Sequence, residues 1–230
     1  MPQKIITIVL LIGLFFGLIT LVSGMSAWRL PDHETGYSPE QPIDYSHRLH
    51  AGDLGIDCRF CHTAADKSRH AGIPSSDVCM KCHKHVTTSF DVLQNEMNKL
   101  EAKKAEDEKN GVKSDTEAKL ELIISDRLRP LYHSFGLDET LNPREGVEPQ
   151  SIPWVRVHNL PDYVYFDHRA HVVAGVTCQR CHGPVESMER VRQQEDLSMG
   201  WCVNCHRNAT KNGINGKAAH ASTDCAVCHY

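Results

Sequence analysis

One apolar block opens the chain. Ile5 to Met25 (IITIVLLIGLFFGLITLVSGM) runs for 21 residues without a charge. As a helix rising 1.5 Å per residue it spans about 31 Å, the thickness of a bilayer's hydrocarbon core. Ser23 to Ala27 offers small residues of the kind found at cleavage sites, but a cleaved signal has a shorter apolar region. The pattern predicts an uncleaved transmembrane anchor over residues 1–28. A lipid-modified start is excluded, because no cysteine lies near it. Lys4 before the run and Arg29 after it mark the orientation only weakly.

Beyond the anchor the apolar pattern is sparse. Phe90, Leu93, Met97 and Leu100 form a stripe at helical spacing, and the charged Glu101 to Lys109 extends that helix to a stop at Gly111. Ser114-Asp115-Thr116-Glu117 reads as a capping box, which predicts a second helix running to Arg129, ahead of Pro130. Residues 86–150 are therefore expected to be a helical hairpin insertion and linker, either solvated or a docking surface for a partner subunit. Pro143, Pro149 and Pro153 make residues 138–153 loop-like, and no strand alternation occurs. The expected fold class is mainly α and irregular.

Composition changes this picture. Aromatics are only 7%, so about 200 exported residues have a thin core and need covalent or metal staples. Ten cysteines and fifteen histidines are the candidates. All the cysteines fall into five Cys-x-x-Cys-His units: Cys58/Cys61/His62, Cys79/Cys82/His83, Cys178/Cys181/His182, Cys202/Cys205/His206 and Cys225/Cys228/His229. This is the attachment signature of c-type haem, with two thioethers to the porphyrin and the adjacent histidine on iron. Zinc sites of four cysteines cannot be made from an odd number of pairs. Disulfides would not require a histidine after every second cysteine. The expected cofactors are five haem c, attached outside the cytoplasm. The predicted layout is a two-haem module at 29–85 and a three-haem module at 151–230, with short helices around the haems.

An electron carrier fills both axial positions of its iron, the second with histidine or methionine. Two segments are alike: Tyr45 to His62 (YSHRLHAGDLGIDCRFCH) and Tyr165 to His182 (YFDHRAHVVAGVTCQRCH). Each has an aromatic residue, then His-x-x-His, then an attachment unit. His47 and His50, like His168 and His171, share a helical face and cannot both reach one iron. Each is expected to serve a different haem.

Residues from Phe166 onward resemble the cytochrome c7 and cytochrome c3 family. That resemblance implies pairing of His168 with His182 and of His171 with His206. The same logic in the first module pairs His47 with His62 and His50 with His83. In the family a histidine lies ahead of the second attachment unit. Here Ser198-Met199-Gly200-Trp201-Cys202 offers Met199 instead, the expected ligand for the haem of His229. His220, His158 and His70 remain alternatives for that position.

Other functions find little support. The net charge of −4 provides no broad basic surface for nucleic acid. There is no nucleotide motif, nucleophile triad or framed carboxylate pair. No Cys-x-x-Cys-Lys unit occurs, which argues against a pentahaem nitrite reductase. Five haems would add up to roughly ten propionate charges. Arg59, Arg69, Arg169, Arg180 and Arg192 lie near attachment units and are expected to offset part of them.

The anchor, the five units, WVRVHNLPDYVYF at 154–166 and LSMGWC at 197–202 together resemble the pentahaem subunit of alternative complex III, a quinol:electron-acceptor oxidoreductase. The resemblance implies an electron carrier rather than an enzyme. It would be held on the periplasmic side of the cell membrane beside iron-sulfur and polytopic quinol-oxidising subunits. Its electrons would pass to a monohaem cytochrome c or a terminal oxidase. Readings of a different class are a multihaem oxyanion reductase and a stand-alone membrane quinol dehydrogenase.

Overall fold

The computed structural model describes residues 2–27, 34–111 and 122–229. Its first element is helix α1, Pro2–Ala27. Within α1, Gln3–Ser23 is long and apolar enough to cross a membrane, with mean hydropathy 3.0 and no part buried against the rest of the chain.

The attachment units fold as short helices. These are α2 (Cys58–Cys61), α3 (Ser76–His83), α7 (Gln179–His182), the longer α8 (Met199–Asn212) and α9 (Cys225–Cys228). A helical turn suits Cys-x-x-Cys-His, because positions i, i+3 and i+4 share one face. Caps are encoded just ahead of the thiols. Asp57 accepts from the Arg59 N–H at 2.8 Å, Asp224 from Ala226 at 2.9 Å and Ser198 from Trp201 at 3.2 Å. Gly213 ends α8 with φ +76° under the carbonyl of Lys217, a position that has no room for a Cβ.

The central insertion differs in part from its expected form. Helix α4, Phe90–Lys109, follows the apolar stripe, and Gly111 leaves it at φ +68°. The capping box at 114–117 lies outside the described residues. Residues 122–128 are not helical, and helix α5 begins at Arg129 instead of ending there (Arg129–Ser134). Pro130 was expected to stop a helix. It sits in the first turn of α5, where its missing N–H costs nothing and its φ is already helical. The return segment packs on the chain just past the Cys79–His83 unit: Ser125 donates to Thr87 O at 2.8 Å and Thr87 Oγ1 to Ile123 O at 2.6 Å. The buried Tyr132 donates its hydroxyl to the His83 carbonyl at 2.7 Å.

Among the described residues there is no named strand, only isolated bridges such as Val164 with His229. The buried apolar side chains are few and scattered: Ile43, Ala65, Leu131, Tyr132, Leu137, Met188 and Ala209. So thin a core fits a domain organised around prosthetic groups rather than around its own side chains.

The internal repeat is also a spatial one. His47 and His50 sit at a single π-helical turn (Arg48–Asp53), and His168 and His171 lie on helix α6 (His168–Val173). Tyr45 meets His47 edge-on at 4.8 Å and stacks on His50 at 4.5 Å. Phe166 does the same to His168 at 4.9 Å and to His171 at 4.6 Å. The structural counterpart of Tyr45 is thus Phe166. The two halves bind each other reciprocally. Arg48 N–H donates to Met188 O at 2.9 Å, and Arg169 N–H donates to Ser68 O at 3.2 Å. Each acceptor lies six residues past an attachment histidine, His182 or His62. This reciprocity describes a pseudo-twofold relation between the halves. Gly52 reinforces it by lying directly against the Glu186 carbonyl.

Candidate haem site

No disulfide joins any of the ten cysteines. Burial pushes several thiols upward: Cys58, Cys61, Cys79 and Cys202 rise, and Cys181 reaches about 11. Redox dithiols show the opposite, a lowered pKa. After burial, neighbouring thiols are the next cause. Cys79 and Cys82 both neighbour Cys61, Cys58 neighbours Cys178, Cys181 neighbours Cys205 and Cys202, and Cys202 neighbours Cys228. Cys58 and Cys178 are the equivalent first cysteines of the two repeats. They meet near the pseudo-twofold axis.

The histidines come together in opposed pairs. Ring centroids are 6.1 Å apart for His50 and His83, 6.3 Å for His168 and His182, and 5.9 Å for His171 and His206. An iron with bonds of about 2 Å to each nitrogen, plus roughly 1 Å from nitrogen to ring centre, separates two centroids by about 6 Å. His47 adjoins His62: burial lowers its pKa to about 4, and His62 is the next cause. Burial likewise lowers His182 to about 3, ahead of the fields of His158 and His168. Neutral imidazoles of this kind are the ones able to bind metal. No group of three or more metal-binding side chains converges among the described residues. Pairs suit an iron whose remaining ligands come from a porphyrin, and the free thiols beside each attachment histidine suit its covalent anchoring.

Hydrogen bonds orient the rings. His62 Nδ1 faces Gly72 O at 2.6 Å, His83 faces Val86 O at 2.8 Å and His206 faces Ser222 O at 2.6 Å. On the opposing side His50 faces Ser46 O at 2.9 Å, His168 faces Arg69 O at 3.0 Å and His171 faces Asp167 O at 2.8 Å. A carbonyl on Nδ1 fixes the tautomer that leaves Nε2 for iron. Sequence reading missed these acceptors, because a main-chain carbonyl leaves no residue-type signal.

The remaining candidates are placed differently. His229 stacks on Tyr163 at 5.9 Å and faces no second imidazole among the described residues. Met199, the first residue of α8, is 70% exposed. His70 and His220 are exposed, and His220 lines an open pocket with Arg207, Lys211 and Asp224. His158 lies against His182, not His229. Three of the five arginines already have partners: Arg59 pairs with Asp57 at 3.4 Å, Arg169 pairs with Asp167 at 2.9 Å, and Arg69 lies over the Tyr165 ring at 4.5 Å.

Comparison with known proteins agrees with this chemistry. Residues 164–230 match the family model of cytochrome c7 and related cytochrome c. The chain is also 26% identical over 237 aligned positions to "Menaquinone reductase, multiheme cytochrome c subunit" of Nitratidesulfovibrio vulgaris, covering 94% of this chain and 88% of that protein. Short helices and irregular segments surround paired histidines, preceded by one apolar helix, so the fold is mainly helical and irregular, and its C-terminal part is similar to cytochrome c7.

Proposed function

We propose that this chain is the membrane-anchored, pentahaem electron-transfer subunit of a quinol-linked membrane complex of the alternative complex III type. The observation that carries the reading is the set of three histidine pairs at 5.9–6.3 Å, each containing an attachment histidine. The cysteine pairs at 58/61, 79/82, 178/181, 202/205 and 225/228 would hold the five haems. His62, His83, His182, His206 and His229 would be proximal ligands, opposed by His47, His50, His168, His171 and Met199. Each haem supplies one-electron iron chemistry when bound. The chain's own part is to hold the groups close, exclude substrate from the iron and set potentials through ligands and their hydrogen bonds.

The thiol neighbours support an order of units. It runs from Cys79/Cys82 through Cys61/Cys58 to Cys178/Cys181, then Cys205/Cys202, and ends at Cys228. The junction between the modules is the Cys58–Cys178 neighbourhood. An anchor at Gln3–Ser23 would keep the haem region at the periplasmic face of the cell membrane, beside iron-sulfur and polytopic quinol-binding subunits.

The test is purification of the tagged full chain from detergent-solubilised membranes. Expected partners are a large iron-sulfur subunit and polytopic subunits, in a complex whose haems are reduced by a quinol. Isolation of the chain alone, with quinol oxidation intact, would support the stand-alone dehydrogenase instead. The relative named for menaquinone reduction favours a second reading, in which electrons run toward quinone. Adding menaquinone to the reduced complex distinguishes the two: rapid haem oxidation favours the reductase direction.

A further inference from the structure

The two repeats differ at one point in the surroundings of their attachment histidines. His62 turns its Nδ1 to a main-chain carbonyl, Gly72 O at 2.6 Å. Its counterpart His182 turns its Nδ1 to a side chain, His158 Nε2 at 3.2 Å, with the two rings edge-to-face at 4.3 Å. Five further imidazoles of the site, like His62, direct Nδ1 to backbone carbonyls. His158 lies ahead of His168, outside both His-x-x-His segments and every attachment unit, and nothing in the pairing of axial ligands uses it.

We propose that His158 is a positioning residue for the haem of the Cys178–His182 unit, acting through His182. The inference rests on the reading above, in which His182 and His168 are the axial ligands there. With Nε2 of His182 committed to iron, its Nδ1 carries the proton and donates. His158 Nε2 is then the lone-pair acceptor, and the proton of His158 sits on its own Nδ1. This bond fixes the orientation of the His182 ring opposite His168, whose plane lies within 7° of it. It also makes His182 a stronger electron donor to iron, which favours the oxidised state and holds the potential down. Because the acceptor is a side chain, this potential is set by a replaceable residue, at the unit where the two modules meet.

The test uses the full-length protein purified from detergent-solubilised membranes. His158→Phe keeps a ring of similar shape and removes the acceptor, whereas His158→Gln keeps an acceptor at similar reach. His158→Leu repeats the first arm should the Phe variant not accumulate. Haem content, low-spin resonance signals and a spectroscopic redox titration are read for each. The expected result is unchanged haem number, an upward shift of one component of the titration and a change in one low-spin signal in the Phe or Leu variant, with Gln returning both toward wild type. An unchanged titration at full haem content overturns the proposal, and so does an equal shift in the Gln and Phe variants, which would mean ring packing alone. Peptide mass spectrometry across Cys178–His182 of the wild type separates this from the underlying reading: a bare peptide there overturns both.

Discussion

Arg169 donates its backbone N–H to the carbonyl of Ser68 at 3.2 Å. Arg48 and Met188 make the counterpart bond from the other half at 2.9 Å. Each arginine follows the first histidine of a His-x-x-His pair, so each half orients the other's histidines. The two His-x-x-His segments are thus each held by the backbone of the opposite half.

Gly52 tests this junction. A Cβ there would land on the Glu186 carbonyl. Gly52→Ala is expected to lose about 1–3 kcal/mol, as overpacking of a close contact does, and Gly52→Val to lose more. Thermal melts followed by circular dichroism check this. Gly200→Ala, where a Cβ meets only Ser198 Oγ at 3.9 Å, is the control, expected to be neutral or slightly stabilising.

Haem number is open to direct counting. Intact mass of the exported protein is expected at the polypeptide mass plus five haems. Replacing both cysteines of one unit, as in Cys225→Ala with Cys228→Ala, is expected to remove one haem and leave the others. A wild-type mass short of five would remove a unit from the relay.

Met199 is the one member of the proposed ligand set that is not an imidazole. Met199→His is expected to lower one potential and abolish a histidine/methionine spectral signature, because a thioether favours reduced iron more than imidazole does. If wild type carries only bis-histidine signals, Met199 is not a ligand. His220→Ala is expected to leave the spectrum unchanged.

Tyr132 ties helix α5 to the Cys79–His83 segment. Its buried hydroxyl bonds the His83 carbonyl at 2.7 Å. Tyr132→Phe is expected to cost about 1 kcal/mol, the usual worth of one hydrogen bond plus a carbonyl left short of a partner. Chemical denaturation at constant haem content measures it.

Helix α4 carries an apolar stripe that is open at two positions among the described residues: Phe90 is 77% exposed and Met97 41%, while Leu93 and Leu100 are half-buried. Phe90→Asp combined with Met97→Asp is expected to weaken co-purification of partner subunits while haem content and melting temperature stay the same. Unchanged partner recovery would make α4 a solvated arm.

The cofactor chemistry was legible in the sequence because it is local. A Cys-x-x-Cys-His unit places two thiols and an imidazole on one helical face by spacing alone, and 21 uncharged residues define a membrane-length helix wherever they occur. His-x-x-His implied that its two rings serve different irons. Local reading failed at Pro130, where the same residue suits the first turn of a helix as well as the end of one. Tertiary structure decided everything that depends on contacts between distant segments. It set Phe166, not Tyr165, as the counterpart of Tyr45, and it turned His158 toward His182. It also brought Cys58 beside Cys178 and matched Arg48 and Arg169 to carbonyls of the opposite half. Those partners are backbone atoms and ring orientations. They acquire their positions only when the two halves pack, so residue type and spacing do not encode them individually.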